Sequence, residues 1–215
     1  MRFHVVSFYT GDGAYRDFAQ TLMRSCDKFG VPHHIEYVAT DANWFHNMIR
    51  KPLYLLRKLR EIGEPCVWLD CDCELIHHPV MFEREDVDFM CYNFAADPEN
   101  GMVRYAPEKL IASGGVVWAA PTEAGLDWIA EWGEWCARAP DVRDDVTMNK
   151  AWPERRRKDL RFAWLPQAYN RLDSYWPKTP PIVNHVYRDG RIFKLRARSK
   201  LPDAPPGHAE KGGAS

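Results

Sequence analysis

The chain has 215 residues, 46% hydrophobic and 27% charged, with a formal net charge of −1. That length holds one domain with a sizeable core, and the composition is that of an ordinary globular protein. No stretch approaches the ~20 consecutive apolar residues of a membrane span, and the start, Met1 to Ser7, runs into a strand pattern without the apolar region and cleavage site of a signal peptide. The reading is a cytoplasmic chain with no transmembrane segment.

Residues 1–149 hold 14 Lys and Arg against 24 Asp and Glu, whereas residues 150–215 hold 15 against 6. The C-terminal third is therefore basic, through Arg155 to Lys158 and a run from Arg188 to Lys200, which suits either a solvated face or contact with an anion. The six cysteines include no Cys-x-x-Cys pair, which argues against a zinc ribbon or a thioredoxin-like motif.

In chain order, His4 to Tyr9 reads as a first strand, broken by Thr10-Gly11-Asp12-Gly13, which is too short for a dinucleotide fingerprint or a P-loop. Ala14 to Phe29 has helical spacing, with Phe18, Leu22, Met23 and Cys26 apolar and Gly30 as its stop. His34 to Val38 is a second strand. Residues 43–50 are irregular or a short helix. A helix then starts at Lys51-Pro52, with proline in the first turn and Leu55, Leu56, Leu59 and Ile62 on one face. Cys66 to Leu69 is a buried third strand. It ends on Asp70-Cys71-Asp72. If the strand continued, period two would put both aspartates on one face and send Cys71 and Cys73 the other way, into packing. Two carboxylates that close repel, and a divalent cation relieves them; hard oxygen donors suit Mg²⁺ or Mn²⁺.

Beyond this pair, Val87 to Asn93 reads as a strand and residues 96–108 as a loop. Ser113-Gly114-Gly115 introduces a strand over Val116 to Ala119. Thr122 caps a helix reaching Ala137, residues 144–149 open another, and Phe162 to Leu165 is a last strand. Residues 1–200 form the domain; residues 201–215, rich in Pro, Gly and Ala, read as a disordered tail. Alternating strands and helices specify an α/β fold, a single Rossmann-like domain with a mainly parallel sheet flanked by helices. In such sheets ligands gather at the carboxyl ends of the strands, where Thr10 and the acidic pair both lie.

These features, in this order over residues 3–195, resemble the GT-A nucleotide-diphospho-sugar glycosyltransferases, especially the small family-8-like group. Val67-Trp68-Leu69-Asp70-Cys71-Asp72 looks like the family's strand and DxD motif, Ser113-Gly114-Gly115 like its Asn-Ser-Gly strand, and Asp144 to Asn149 like its Asp-Gln-x-x-Leu-Asn segment. Leu165-Pro166-Gln167-Ala168-Tyr169-Asn170 resembles its Leu-Pro-x-x-Tyr-Asn stretch, and Val183-Asn184-His185 its late strand ending in a metal-binding His. Asp145 stands where Gln is usual, and Arg188, Arg191 and Lys194 stand in for a later Lys-Pro-Trp.

The resemblance implies a hexosyltransferase-like enzyme moving a sugar from a nucleotide-diphospho-sugar to an acceptor hydroxyl. Asp70, Asp72 and His185 would hold Mn²⁺ or Mg²⁺. Thr10, Lys51, Asp70, Ser113, Gly114, Arg188 and Lys194 would meet the donor. Asp144 and Asp145 are the catalytic candidates, as general base or as binder of a sugar hydroxyl. The acceptor stays open: a saccharide, a lipid-linked glycan, a protein or modified nucleic acid. Two other classes use similar residues: a metal-dependent nucleotidyl- or phosphotransferase, and a non-catalytic nucleotide-sugar binder of the same fold.

Overall fold

The structure, a computed structural model, describes residues 3–11, 13–39, 44–101, 103–172, 176 and 178–185. The main sheet has six strands: β1 (His4–Tyr9), β2 (His33–Tyr37), β3 (Cys66–Leu69), β5 (Phe89–Asn93), β6 (Ala112–Ala119) and β7 (Phe162–Trp164). Their spatial order is β2-β1-β3-β6-β5-β7. Neighbours are parallel except that β6 runs antiparallel to both β3 and β5. A separate two-stranded antiparallel ribbon pairs β4 (Cys73–Leu75) with β8 (Val183–His185). The mainly parallel α/β expectation therefore holds.

The central strands are apolar on both faces because both faces are covered. Along β1, Val5 enters one core and Val6 the other; along β3, Val67 and Leu69 face one layer while Cys66 and Trp68 face its opposite. Helix α1 (Ala14–Lys28) covers the first face through Ala19, Leu22 and Cys26. The second face is covered by α2 (Trp44–Ile62), α3 (Glu123–Arg138) and α4 (Asp144–Ala151), with Leu55, Leu59, Trp128, Trp132 and Met148 fully buried. Thr122 caps α3 as the sequence indicates, its hydroxyl accepting from the Gly125 N–H at 3.1 Å.

Three local readings change. Helix α2 begins at Trp44, so Pro52 lies inside it rather than in a first turn. An interior proline costs about 3 kcal/mol; burial of Tyr54, Leu55, Leu56 and Leu59 on one face of the same helix offsets it. Gly133 of α3 admits this helix closely, since a Cβ there would stand 2.9 Å from Leu53 Cδ2. Ser113, Gly114 and Gly115 lie within β6 rather than ahead of it. The chain after Leu69 turns at once: the Cys73 N–H donates to the Asp70 carbonyl at 2.8 Å. Asp70 and Asp72 therefore do not share a strand face, and Cys73 begins β4, where it is buried in the core layer as expected.

Candidate active site at the end of the third strand

The site forms where β3, β6, the β4–β8 ribbon, α2 and α4 meet. Asp70 extends the β3–β6 ladder by one rung, its N–H donating to the Gly115 carbonyl at 2.9 Å. Its side chain follows Trp68 on the same strand face, and the indole N–H of Trp68 donates to Asp70 Oδ1 at 2.7 Å. From α2, Lys51 reaches across the sheet end. Its ammonium lies 3.0 Å from Asp70 Oδ1 and 2.8 Å from Asp144 Oδ2, and donates to the Gly114 carbonyl at 2.7 Å. Lys51 does not start a helix, as its neighbour Pro52 suggests; it is buried in mid-helix.

Asp144 is the first residue of α4, where a carboxylate also favours the helix N-terminus. Trp132 of α3 pins it, donating from its indole to the Asp144 carbonyl at 2.8 Å. Asn149, one turn on, accepts from the Ala112 N–H at 2.7 Å and ties α4 to the start of β6. Gly114 makes this approach available: a Cβ there would stand 2.8 Å from Asp144 Oδ2.

One cation thus serves two carboxylates. Burial disfavours the Lys51 ammonium, but Asp144 and Asp70 outweigh it and raise its pKa above the ordinary lysine value. Burial also opposes ionisation of Asp70; Lys51, the Trp68 N–H and His185 together reverse this and hold the carboxyl below its usual range. Asp144 goes the other way: burial raises it, with the Asp70 charge adding, in spite of Lys51. Two carboxylates with different proton affinities around a shared lysine are what a transfer site exploits.

A second group adjoins the first. The ligating atoms of Asp72, Cys73 and His185 all lie within 4.8 Å of one another. Cys73 and His185 stand opposite each other in the ribbon, with Cys73 Sγ 3.4 Å from His185 Nδ1. Burial first, then Asp72, pushes the Cys73 thiol well above its ordinary pKa. Asp70 borders the same space: a Cβ on Gly115 would stand 2.4 Å from His185 Cε1 and 3.3 Å from Asp70 Oδ2. Gly115 is therefore needed for room: His185 and Asp70 stand over it, while Asp72 joins His185 through the ribbon group. The donor set of carboxylates and imidazole fits a divalent cation.

The remaining candidates are placed as follows. Thr10 sits half-buried just past the end of β1. Ser113 donates to Asn170 Oδ1 at 2.7 Å. Asp145, half-buried, pairs with Arg143. Arg188, Lys194 and the 201–215 tail lie outside the described residues. Within the basic third, Arg156 pairs with Glu134 and Arg157 with Asp127 and Asp159, so this part of the charge is spent on surface ion pairs. Sequence reasoning missed Trp68, whose signal is its i, i+2 spacing to Asp70, and Cys73, which has no local signal because its neighbour lies 112 residues away.

The family model for nucleotide-diphospho-sugar transferases matches residues 20–196, a span that takes in Lys51, Asp70, Asp72, Gly115, Asp144 and His185. The chain belongs to that family. As a nucleotide-diphospho-sugar transferase it is a glycosyltransferase. Its fold is similar to that of a glycosyltransferase involved in glycosylation of the major capsid of PBCV-1, with TM-score 0.68 and 11% identity over 94% of this chain and 100% of that one. It is also similar to the glycosyltransferase GlyE of Streptococcus pneumoniae TIGR4, with TM-score 0.55 and 15% identity over 86% of this chain and 55% of that one. At such identities the likeness concerns the fold. A comparison with curated proteins finds no match. Among the described residues, no helix of this transferase is long and apolar enough to cross a membrane.

Proposed function

We propose that this transferase, within residues 1–200, moves a sugar from a nucleotide-diphospho-sugar to an acceptor hydroxyl with the help of Mn²⁺ or Mg²⁺. The supporting observation is that His185 adjoins both carboxylates: it borders the space above Gly115 with Asp70, and its ring lies within 4.8 Å of the Asp72 carboxylate. When bound there, the cation supplies Lewis-acid neutralisation of the diphosphate leaving group. Asp70, Asp72 and His185 would hold it, and Lys51 keeps Asp70 ionised for that role. Thr10, Ser113 and Gly114 line the donor side at the strand ends, with Arg188 and Lys194 as the basic residues for the diphosphate.

Asp144, buried and locked to Lys51, is suited to orienting a sugar hydroxyl by accepting its proton in a hydrogen bond. Asp145 is the more accessible carboxylate and takes the acceptor side, where it would hold the hydroxyl proton if the reaction inverts.

Calorimetric titration with nucleoside diphosphates, with and without Mn²⁺, tests the metal bridge. Tight binding only with Mn²⁺, lost in Asp72→Ala, is expected; equal binding without metal contradicts it. A screen of nucleotide-sugars for released nucleoside diphosphate then identifies the donor, and turnover lost in Asp72→Asn separates catalysis from binding alone.

A further inference from the structure

The metal pocket contains a sulfur atom that hard-cation chemistry does not use. We infer that Asp72, Cys73 and His185 form a site for a thiophilic divalent cation, Zn²⁺ by chemistry, overlapping the position proposed for Mn²⁺ or Mg²⁺. This rests on the functional reading only for the overlap; the site itself rests on the ribbon.

Cys73 and His185 are directly opposite in antiparallel register, so their side chains leave the same face of the β4–β8 pair. Both are buried, at 1% and 6% exposure. The sulfur lies 3.4 Å from Nδ1 and 3.8 Å from Nε2 of the ring. Zinc binds sulfur at about 2.3 Å and imidazole nitrogen at about 2.0–2.1 Å, which at a tetrahedral angle separates the two donors by about 3.6 Å. The pair already stands at that spacing. Asp72 brings an oxygen within 4.8 Å of both. The resulting N, S, O set matches zinc's borderline preference, leaves a fourth position for water or a diphosphate oxygen, and gives Mg²⁺ a donor it does not favour.

Without metal, the same 3.4 Å contact is a thiol–imidazole hydrogen bond. On zinc binding, the Zn–S bond forms, the S–H bond breaks and the thiol proton goes to solvent. Zinc would therefore compete with the catalytic cation and hold the transferase in a different metal state.

Cobalt replaces zinc as the probe. Titrating the full chain with Co²⁺ is expected to produce a near-ultraviolet thiolate-to-cobalt charge-transfer band that stoichiometric Zn²⁺ removes. The band should vanish in Cys73→Ser, with apparent Co²⁺ affinity falling by ~100-fold or more, and persist in Cys71→Ser. No band in the native chain, or a band that survives Cys73→Ser, overturns the inference. If Cys73→Ser does not melt as a folded protein, zinc-edge X-ray absorption of the native chain decides: one sulfur neighbour at about 2.3 Å supports the site and a shell of only nitrogen and oxygen refutes it. Mn²⁺-dependent nucleoside diphosphate binding without the cobalt band would sink this inference alone; the band with metal-independent nucleotide binding would sink the functional reading alone.

Discussion

Lys51→Met removes the ammonium that lies between Asp70 and Asp144 while keeping a stem of similar length. The Lys51 and Asp144 side chains are 7% and 5% exposed, whereas Asp70 keeps 37% of its surface in water. Removing one partner of a buried ion pair costs about 3–5 kcal/mol. Because water still reaches Asp70, the lower end applies, about 3 kcal/mol. With a urea dependence of about 2–3 kcal/mol per molar for a chain of this size, the unfolding midpoint should fall by about 1–1.5 M near pH 8.

The defect should depend on pH in a definite direction. The folded-state pKa of Asp144 is already raised by burial, and loss of Lys51 raises it further. Stability from a group of that kind is fully present below its unfolded pKa, about 3.9, and is lost as pH rises through the folded value. Acidification toward pH 5 should therefore shrink the difference between Lys51→Met and the native chain. Adding Asp144→Asn should recover a substantial part of it at pH 8. Urea unfolding followed by circular dichroism measures all of this. A midpoint shift below about 0.3 M at pH 8, or a deficit that grows on acidification, would show that Lys51 does not bridge the two carboxylates.

Gly115→Ala places a Cβ 2.4 Å from His185 Cε1 and 3.3 Å from Asp70 Oδ2, so the ring must move; Mn²⁺-dependent nucleoside diphosphate affinity should drop ~10-fold or more by calorimetry, and unchanged affinity would remove His185 from the site. Gly114→Ala meets Asp144 Oδ2 at 2.8 Å and should lower donor turnover with little loss of metal affinity, measurable as released nucleoside diphosphate alongside Mn²⁺ titration. Thr122→Ala deletes the α3 cap and the hydroxyl that donates to the buried Asp88 at 2.9 Å. About 1–2 kcal/mol should be lost, a fall of about 3–6 °C in melting temperature by calorimetry. Donor turnover below the melting range should stay unaffected, since Thr122 lies past the far end of β6 from Ser113.

The first strand over His4–Tyr9, the apolar third strand, the helix capped by Thr122 and the α/β class were legible because each is encoded locally. Period-two and helical spacing, a cap residue and glycine stops act within a few residues, and apolar strands bounded by helical patterns require both sheet faces to be covered. The acidic end of the third strand was legible for the same reason. The length of α2 was not, because proline's local rule ends a helix that contacts with α3 and the sheet sustain. That change moves Lys51 from a helix start to mid-helix, at the centre of the site.

The sequence by itself determined that Asp70 and Asp72 close an apolar strand and need positive charge. The tertiary structure decided which charge each meets. A tight turn through Cys71 and Asp72 separates them, sending Asp70 to Lys51 of α2 and Asp72 toward the ribbon. The antiparallel register of β4 with β8 sets His185 against Cys73 across 112 residues. Register between distant segments depends on the packing of the whole domain, so no local pattern could have announced a thiol beside the imidazole. The two glycines of Ser113-Gly114-Gly115 were visible as residues, but their purpose, room for Asp144 at one and His185 at the other, exists only once the helices and ribbon close over β6.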